Sequence, residues 1–311
     1  MKVLIVASKN SGRFVPFIVE QARALEYLGC EVEFFGLGGK GIKGYLKNLP
    51  AFREKIKEFC PDVVHAHYGL SGLFANLQRK VPVVTTYHGS DINDRKVLPL
   101  SKTAIRLSAW NIFVAKGILE IAAPAKKYSL IPCGVDFTEL QLMPKLEARR
   151  RMHLQDGKRY VLFAGAFDNL VKNADLAKAA VEHLGTTDVE LVELKGYDRD
   201  EVTLLMCACD AFLMTSFTEG SPQVIKEALA CGCPIVSVNV GDVKDRVKGV
   251  DGCYVSKTRD LHELAELLVE TMAFDGKTRG REKIIADGLD NNQIAAQLIG
   301  IYRIIVQNES C

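Results

Sequence analysis

Short, continuously apolar runs rich in β-branched residues recur along this chain, each followed by a longer stretch with helical spacing. Val3–Ala7, Val32–Phe35, Val63–Ala66, Val83–Thr86 and Ile112–Val114 are runs of the first kind. A strand without a polar face has to be covered on both sides, the condition of a parallel strand between layers of helices. Phe14–Leu28 and Tyr45–Phe59 carry apolar residues at steps of three and four and predict the covering helices. The rhythm stops between Gly134 and Arg151, where GVDFTELQLMPKLEARRR holds Pro144 and a basic cluster. It resumes at Tyr160–Ala164, Val189–Leu194, Ala211–Met214, Ile235–Val238 and Gly252–Val255. Such alternation predicts an α/β fold with doubly wound parallel sheets. At 311 residues the chain is long enough for two such domains, each with its own core. We place a linker near 137–147, a first domain over 1–143 and a second over 144–291. The last helical pattern, Asn292–Gln307 within the 292–311 tail, is expected to pack back on the first domain.

Charge and cysteine usage remove several function classes. Lys plus Arg number 40 against 38 Asp plus Glu, a net +2, without the basic excess of a nucleic-acid binder. No apolar stretch approaches the roughly 20 residues that span a bilayer, and the opening MKVLIVASKN lacks a signal-peptide core. Nine cysteines in a chain with no secretion signal read as reduced thiols of a cytoplasmic protein. The segment from Lys40 to Cys60 carries six Lys or Arg and two Glu beside Ile42, Leu46, Leu49, Phe52, Ile56 and Phe59. Pro50 and its place between two strands favour a core-packing helix with a solvated basic face. Peripheral contact with the inner membrane surface is the less favoured alternative.

Two motifs mislead. GLGGKG at 36–41 fits the dinucleotide-binding pattern, but it follows the second strand, and the next strand ends in Ala66-His67 with no acid for a ribose. Cys207-x-Cys209 and Cys231-x-Cys233 have the wrong spacing for structural zinc, and His65-x-His67 has no carboxylate nearby. No metal and no cofactor is expected. His65 and His67 are read as strand-end residues.

The informative segment is Ser216–Pro234, SFTEGSPQVIKEALACGCP. An apolar strand ends at Thr215, a glycine loop follows, and a helix is expected with Ser221 as N-cap and Pro222 as its first residue. The amides of Gly220, Ser221 and Gln223 would then face the carboxyl edge of the sheet, a geometry that binds phosphates. Glu219 and Glu227 flank this turn, and a carboxylate offers two acceptor oxygens to a pair of hydroxyls. Taken alone, Glu227 is a solvated helix residue, Lys172 a surface lysine, Gly12 a turn glycine and His88 a satisfied strand-end histidine.

In sequence, this region resembles the donor-site signature of the retaining glycosyltransferases of family 4. Further matches follow in the family's order: PDVVHAHYG, VVTTYHGSD, IPCGVD, and VLFAG followed by Lys172. The resemblance covers nearly the whole chain. It implies the GT-B fold, two Rossmann-like doubly wound domains facing a central cleft, and sugar transfer from a nucleotide-diphosphate sugar to a glycan or lipid-linked hydroxyl, without metal. It further implies that Glu227 holds the ribose hydroxyls and that Glu219 faces the transferring sugar. The Gly220–Ser221 amides would meet sugar or phosphate oxygens, and Lys172 would sit on the diphosphate. Gly12 would let backbone approach the diphosphate from the first domain, and His88 would orient the reacting hydroxyls. A same-face reaction is implied, in which the leaving phosphate helps to deprotonate the acceptor.

The pattern has two departures. The family arginine that follows the strand glycine is replaced in Gly165-Ala166, and a lysine alone is only a point charge. Arg13, beside Gly12, is the candidate substitute. Where the family reads Gly-Gly-x-x-Glu, this chain has Gly241-Asp242-Val243-Lys244-Asp245. Two alternatives stand beside this reading: a non-catalytic, degenerate sugar-nucleotide binder, which the missing arginine favours, and a nucleotide-sugar epimerase of the same fold, whose acids and bases these motifs fit poorly.

Overall fold

The computed structural model describes every residue except Lys40, Lys126, Ser310 and Cys311, and leaves the side chains of Ile42 and Glu309 undescribed. The chain divides into two compact units, Met1–Gly134 with Leu289–Cys311, and Val135–Gly288. The crossings thus fall at Gly134 and Gly288, not at 143 and 291. At Gly134 a side chain would run into Asn291, so the outgoing and returning segments meet where only glycine fits.

In the first unit β1 (Lys2–Ser8), β2 (Glu31–Leu37), β3 (Val63–His67), β4 (Val83–Tyr87), β5 (Trp110–Phe113) and β6 (Tyr128–Leu130) form one sheet. All its pairs are parallel, in the order β2-β1-β3-β4-β5-β6. The helices of this unit are α1 (Pro16–Tyr27), α2 (Gly41–Leu46), α3 (Leu49–Phe59), α4 (Gly69–Ala75), α5 (Ser90–Asn93), α6 (Leu98–Leu107) and α7 (Lys116–Ala122). The single helix expected over 45–59 is broken between α2 and α3. Pro50 sits in the first turn of α3, where its missing N–H costs nothing, whereas a helix running through from Tyr45 would need that N–H. Phe52, Ile56 and Phe59 of α3 pack on Leu4, Val6 and Val64, so this basic segment covers the sheet with its apolar face. Lys40 and the Ile42 side chain of the same segment lie outside the described residues. In the 36–41 motif Gly39 serves packing: a Cβ on it would lie 2.9 Å from the Gly44 Cα, whereas Gly38 and Gly41 face open space.

The second unit holds α8 (Lys145–Arg151), β7 (Arg159–Phe163), α9 (Ala174–Glu182), β8 (Val189–Glu193), α10 (Arg199–Ala208), β9 (Ala211–Met214), α11 (Gln223–Ala230), β10 (Ile235–Val238), α12 (Val243–Val247), β11 (Cys253–Ser256), α13 (Leu261–Ala273) and α14 (Gly280–Ala286). Its strands are again parallel, ordered β11-β10-β9-β7-β8. The chain then returns to the first unit as α15 (Asn291–Glu309), which packs against α1. Ile294, Leu298, Tyr302 and Ile305 are buried there. Each such side chain contributes about 1.5–3 kcal/mol over leaving it in water. Among the described residues no helix is long and apolar enough to cross a membrane.

Candidate functional site

In the second sheet β8 lies on one side of β7 and β9 on the other, so the loops leaving β7 and β9 diverge. Ligands of open α/β sheets bind outside the carboxyl ends of the strands at such a reversal. The loop from β7 carries Gly165 and Lys172, and the loop from β9 carries Thr215 to Pro222. Lys172 closes a 3-10 turn over Leu170–Lys172, whose first amide is capped by the Asn169 side chain. The Thr215 hydroxyl donates to the carbonyls of Lys172 and Asn173 at 2.9 and 2.8 Å. The Phe217 amide donates to the Val171 carbonyl at 2.9 Å. The Lys172 stem runs over Gly165, where a Cβ would lie 2.7 Å from Lys172 Cγ. Its Nζ ends on Glu219 Oε1 at 2.7 Å, with both side chains about four-fifths buried. Two residues separated by 47 positions are thereby locked together at the reversal.

Glu227 lies on α11, buried, with Oε1 accepting from Arg199 Nη1 at 2.7 Å. Arg199 is the first residue of α10, fixed by the capping box of Asp198 and Glu201. The expected N-cap is corrected. Pro222 takes the N-cap place and α11 starts at Gln223, one residue later. The Ser221 hydroxyl instead donates to Asp242 Oδ2 at 2.8 Å, an oxygen that also accepts from Arg246 Nε at 2.9 Å. A hydrogen bond to a carboxylate is the stronger one, and it draws Ser221 away from the helix. Gly241, at φ +55°, packs so closely on the Gly220 carbonyl that a side chain there would collide with it. Gly241-Asp242, one of the two departures, therefore shapes the Gly220–Ser221 turn.

In the first unit His88 follows β4. Asp91 holds its loop by accepting the amides of His88, Gly89 and Gly69 at 3.1, 2.9 and 2.9 Å. The His88 ring packs against Phe17 and Tyr68 and places Nε2 at 3.1 Å from His67 Nδ1. His67 stacks on His65, which reaches Tyr302 OH at 2.5 Å and Thr86 Oγ1 at 2.7 Å. Gly12 lies in the loop after β1 at φ +83°, in open space, and Arg13 follows it, exposed.

The buried histidines make this unit acid-sensitive. Burial pushes the His65 imidazole down to about 3. Burial, and then the neighbouring His65 and His88, holds His67 well below the usual range. Both are neutral when folded and take up a proton on unfolding, so their contribution is complete above about pH 6.5 and lost as pH falls toward 3. We expect the unfolding free energy of this unit, followed by the fluorescence of Trp110, to drop by about 1.4 kcal/mol per histidine per pH unit below pH 6. Asp91, whose carboxyl is raised by burial, offsets part of this at the acid end. A flat profile from pH 7 to 5 would contradict the assignment.

The structure joins Lys172 to Glu219 and ties Gly220–Ser221 to Gly241–Asp242, and it pairs Glu227 with Arg199. Sequence reasoning missed Arg199 and Asp91, and it named Asp242 only as part of a departure, without its bond to Ser221. It also missed Arg259, which donates to the carbonyls of Ser216 and Phe217 at 2.7 and 2.9 Å. Only the capping box before Arg199 and the acid of HGSD were available as local signals. At the other departure the backbone beyond Ala166 is tied down by the Phe167 amide, which donates to Glu193 Oε2 at 2.7 Å. Among the described residues no cluster of three His, Cys, Asp or Glu could hold a metal ion.

Comparison with known proteins extends this picture. Residues 15–139 match the profile of Glycosyltransferase Family 4, and residues 161–273 that of Glycosyl transferases group 1. TuaC of Bacillus subtilis, a glycosyltransferase named for teichuronic acid biosynthesis, is 27% identical over 221 residues. That match covers 61% of this chain and 56% of TuaC, so the chain spans just over half the length of that relative. Sucrose-phosphate synthase from Thermosynechococcus elongatus superposes with a TM-score of 0.83 at 17% identity, over 99% of this chain and all of that one. HepE from Anabaena, in complex with UDP, superposes at 0.72 with 16% identity, over 96% of this chain and 99% of its own. These neighbours are GT-B glycosyltransferases, and the chain has that fold.

Proposed function

Since the chain belongs to glycosyltransferase family 4, we propose that it is a retaining, metal-independent transferase moving a sugar from a nucleotide-diphosphate donor to a glycan or lipid-linked hydroxyl. The observation that carries this proposal is the Lys172–Glu219 pair, held over Gly165 at the reversal of the second sheet. An ammonium has three donors and Glu219 uses one, which leaves two for diphosphate oxygens. A fixed cation there stabilises the charge that develops as the bond from the sugar to the phosphate breaks. Glu219 orients the sugar. Glu227 gives one oxygen to Arg199 and has further acceptor sites for ribose hydroxyls. His88 orients the reacting hydroxyls in the first unit, and Gly12 leaves room for the diphosphate. UDP in HepE supports a nucleotide donor, and the name of TuaC supports a glycan acceptor.

Ala166, in place of the arginine, favours a second reading, a binder without turnover. Incubating the protein with UDP-, GDP- and ADP-sugars without acceptor, in parallel with a divalent metal and with EDTA, separates the two. Water then replaces the acceptor, and proton NMR reads the anomer first released. Slow release with retained configuration is expected. Release of the inverted anomer overturns retention, and loss of release in EDTA overturns metal independence. Tight binding with no release supports the binder.

A further inference from the structure

Arg259 is a charged side chain to which the proposed reaction gives no task. It stands in the loop between β11 and α13, and its guanidinium spans three successive carbonyls of the loop that leaves β9. Nη1 lies 2.7 Å from the Ser216 carbonyl and 3.3 Å from that of Thr215, and Nη2 lies 2.9 Å from that of Phe217. The guanidinium carbon also sits 5.6 Å from the centre of the Phe217 ring. The loop that presents Arg259 is built around one carboxylate. Glu263 accepts the amides of Lys257 and Thr258 at 2.7 and 3.0 Å, and the hydroxyls of Ser256 and Thr258 at 2.9 and 2.6 Å. Asp260, the next residue, caps α13.

The peptide between Ser216 and Phe217 is gripped at both ends. Its carbonyl accepts from Arg259, and its amide donates to the Val171 carbonyl at 2.9 Å. A trans peptide is planar, with C=O and N–H pointing in opposite directions, so two such grips fix its tilt. Lys172 follows Val171, and Glu219 lies two residues beyond Phe217. The gripped peptide thus ties the turn that carries Lys172 to the loop that carries Glu219, beside their own bond at 2.7 Å. A planar fork with five donors can serve three carbonyls at once, whereas an ammonium is a point charge. We propose that Arg259 is a positioning residue for the transfer step, holding the 215–217 backbone so that Glu219 stays against Lys172. Its loss slows turnover and leaves nucleotide binding nearly intact. The role in transfer rests on the proposed function; the grip on the loop does not.

Amide hydrogen exchange and donor hydrolysis on Arg259→Ala and Arg259→Lys test this. In Arg259→Ala the Phe217 amide should exchange about tenfold faster, because the far end of its peptide is released. Hydrolysis is followed with the UDP-, GDP- or ADP-sugar that the unmodified protein turns over. There kcat should fall about tenfold, while the Kd of the matching nucleoside diphosphate stays within about twofold. Arg259→Lys, which can serve one carbonyl, should recover part of the loss. Millimolar guanidinium, a free copy of the missing group, should raise kcat in Arg259→Ala and not in Lys172→Ala. Unchanged exchange at Phe217, or a loss of kcat that guanidinium does not restore, overturns the proposal and leaves the proposed function standing. No turnover by the unmodified protein refutes the proposed function and, with it, the role in transfer, while the exchange rates still decide whether Arg259 holds the loop.

Discussion

Lys172→Ala lowers kcat by about 10²–10³-fold, the loss that follows removal of one fixed donor aimed at developing charge. The expectation rests on how firmly the lysine is held. Its backbone is tied to Thr215 and Phe217, its stem lies on Gly165, and its Nζ is 2.7 Å from Glu219. Arginine at this position should not restore the rate, because a planar fork cannot follow the lysine's path over Gly165. Gly165→Ala tests the placement without touching the charge. The new methyl would lie 2.7 Å from the middle of the lysine stem, so the whole side chain must move. A displaced charge is expected to cost about 10–100-fold in kcat with little change in Tm. Parent-like turnover in Gly165→Ala would show that the position of Lys172 is not critical, and parent-like turnover in Lys172→Ala would remove it from the reaction.

Glu227→Ala should weaken nucleoside diphosphate binding about 100-fold, from the loss of two hydrogen bonds to a charged acceptor. Glu227→Gln keeps the shape but turns part of the acceptor into a donor, and an intermediate loss is expected. Since Glu227 also holds Arg199, Arg199→Ala is the matching control. If Glu227 reaches the ribose itself, the arginine variant loses only about fivefold, the worth of one orienting contact. Equal losses in the two variants would mean that Glu227 acts only through Arg199.

Most of the fold could be read from the order of residues because its strands are continuously apolar. Buried on both faces, runs such as Val3–Ala7 and Ala211–Met214 have no competing helical or polar period. β6 escaped notice because Tyr128–Leu130 is a three-residue edge strand that is half exposed, with no pattern to detect. Lys172, Glu219 and Glu227 could be found through resemblance, and the structure pairs the first two. Arg199 could not, because its bond to Glu227 joins residues 28 positions apart. The same holds for Ser221, whose local sequence favours a cap but whose hydroxyl is taken by Asp242, 21 positions on. The break at Pro50 shows the reverse case, in which a local backbone rule overrides a good apolar period.

Titration calorimetry of UDP, GDP and ADP onto the unmodified protein, Lys172→Ala and Glu227→Ala tests the central claim most directly. The claim is that the carboxyl edge of the second sheet holds a nucleoside diphosphate between Lys172 and Glu227. One of the three nucleotides should bind the unmodified protein and lose affinity in each variant. Binding of none of them, or binding that both substitutions leave unchanged, would contradict it.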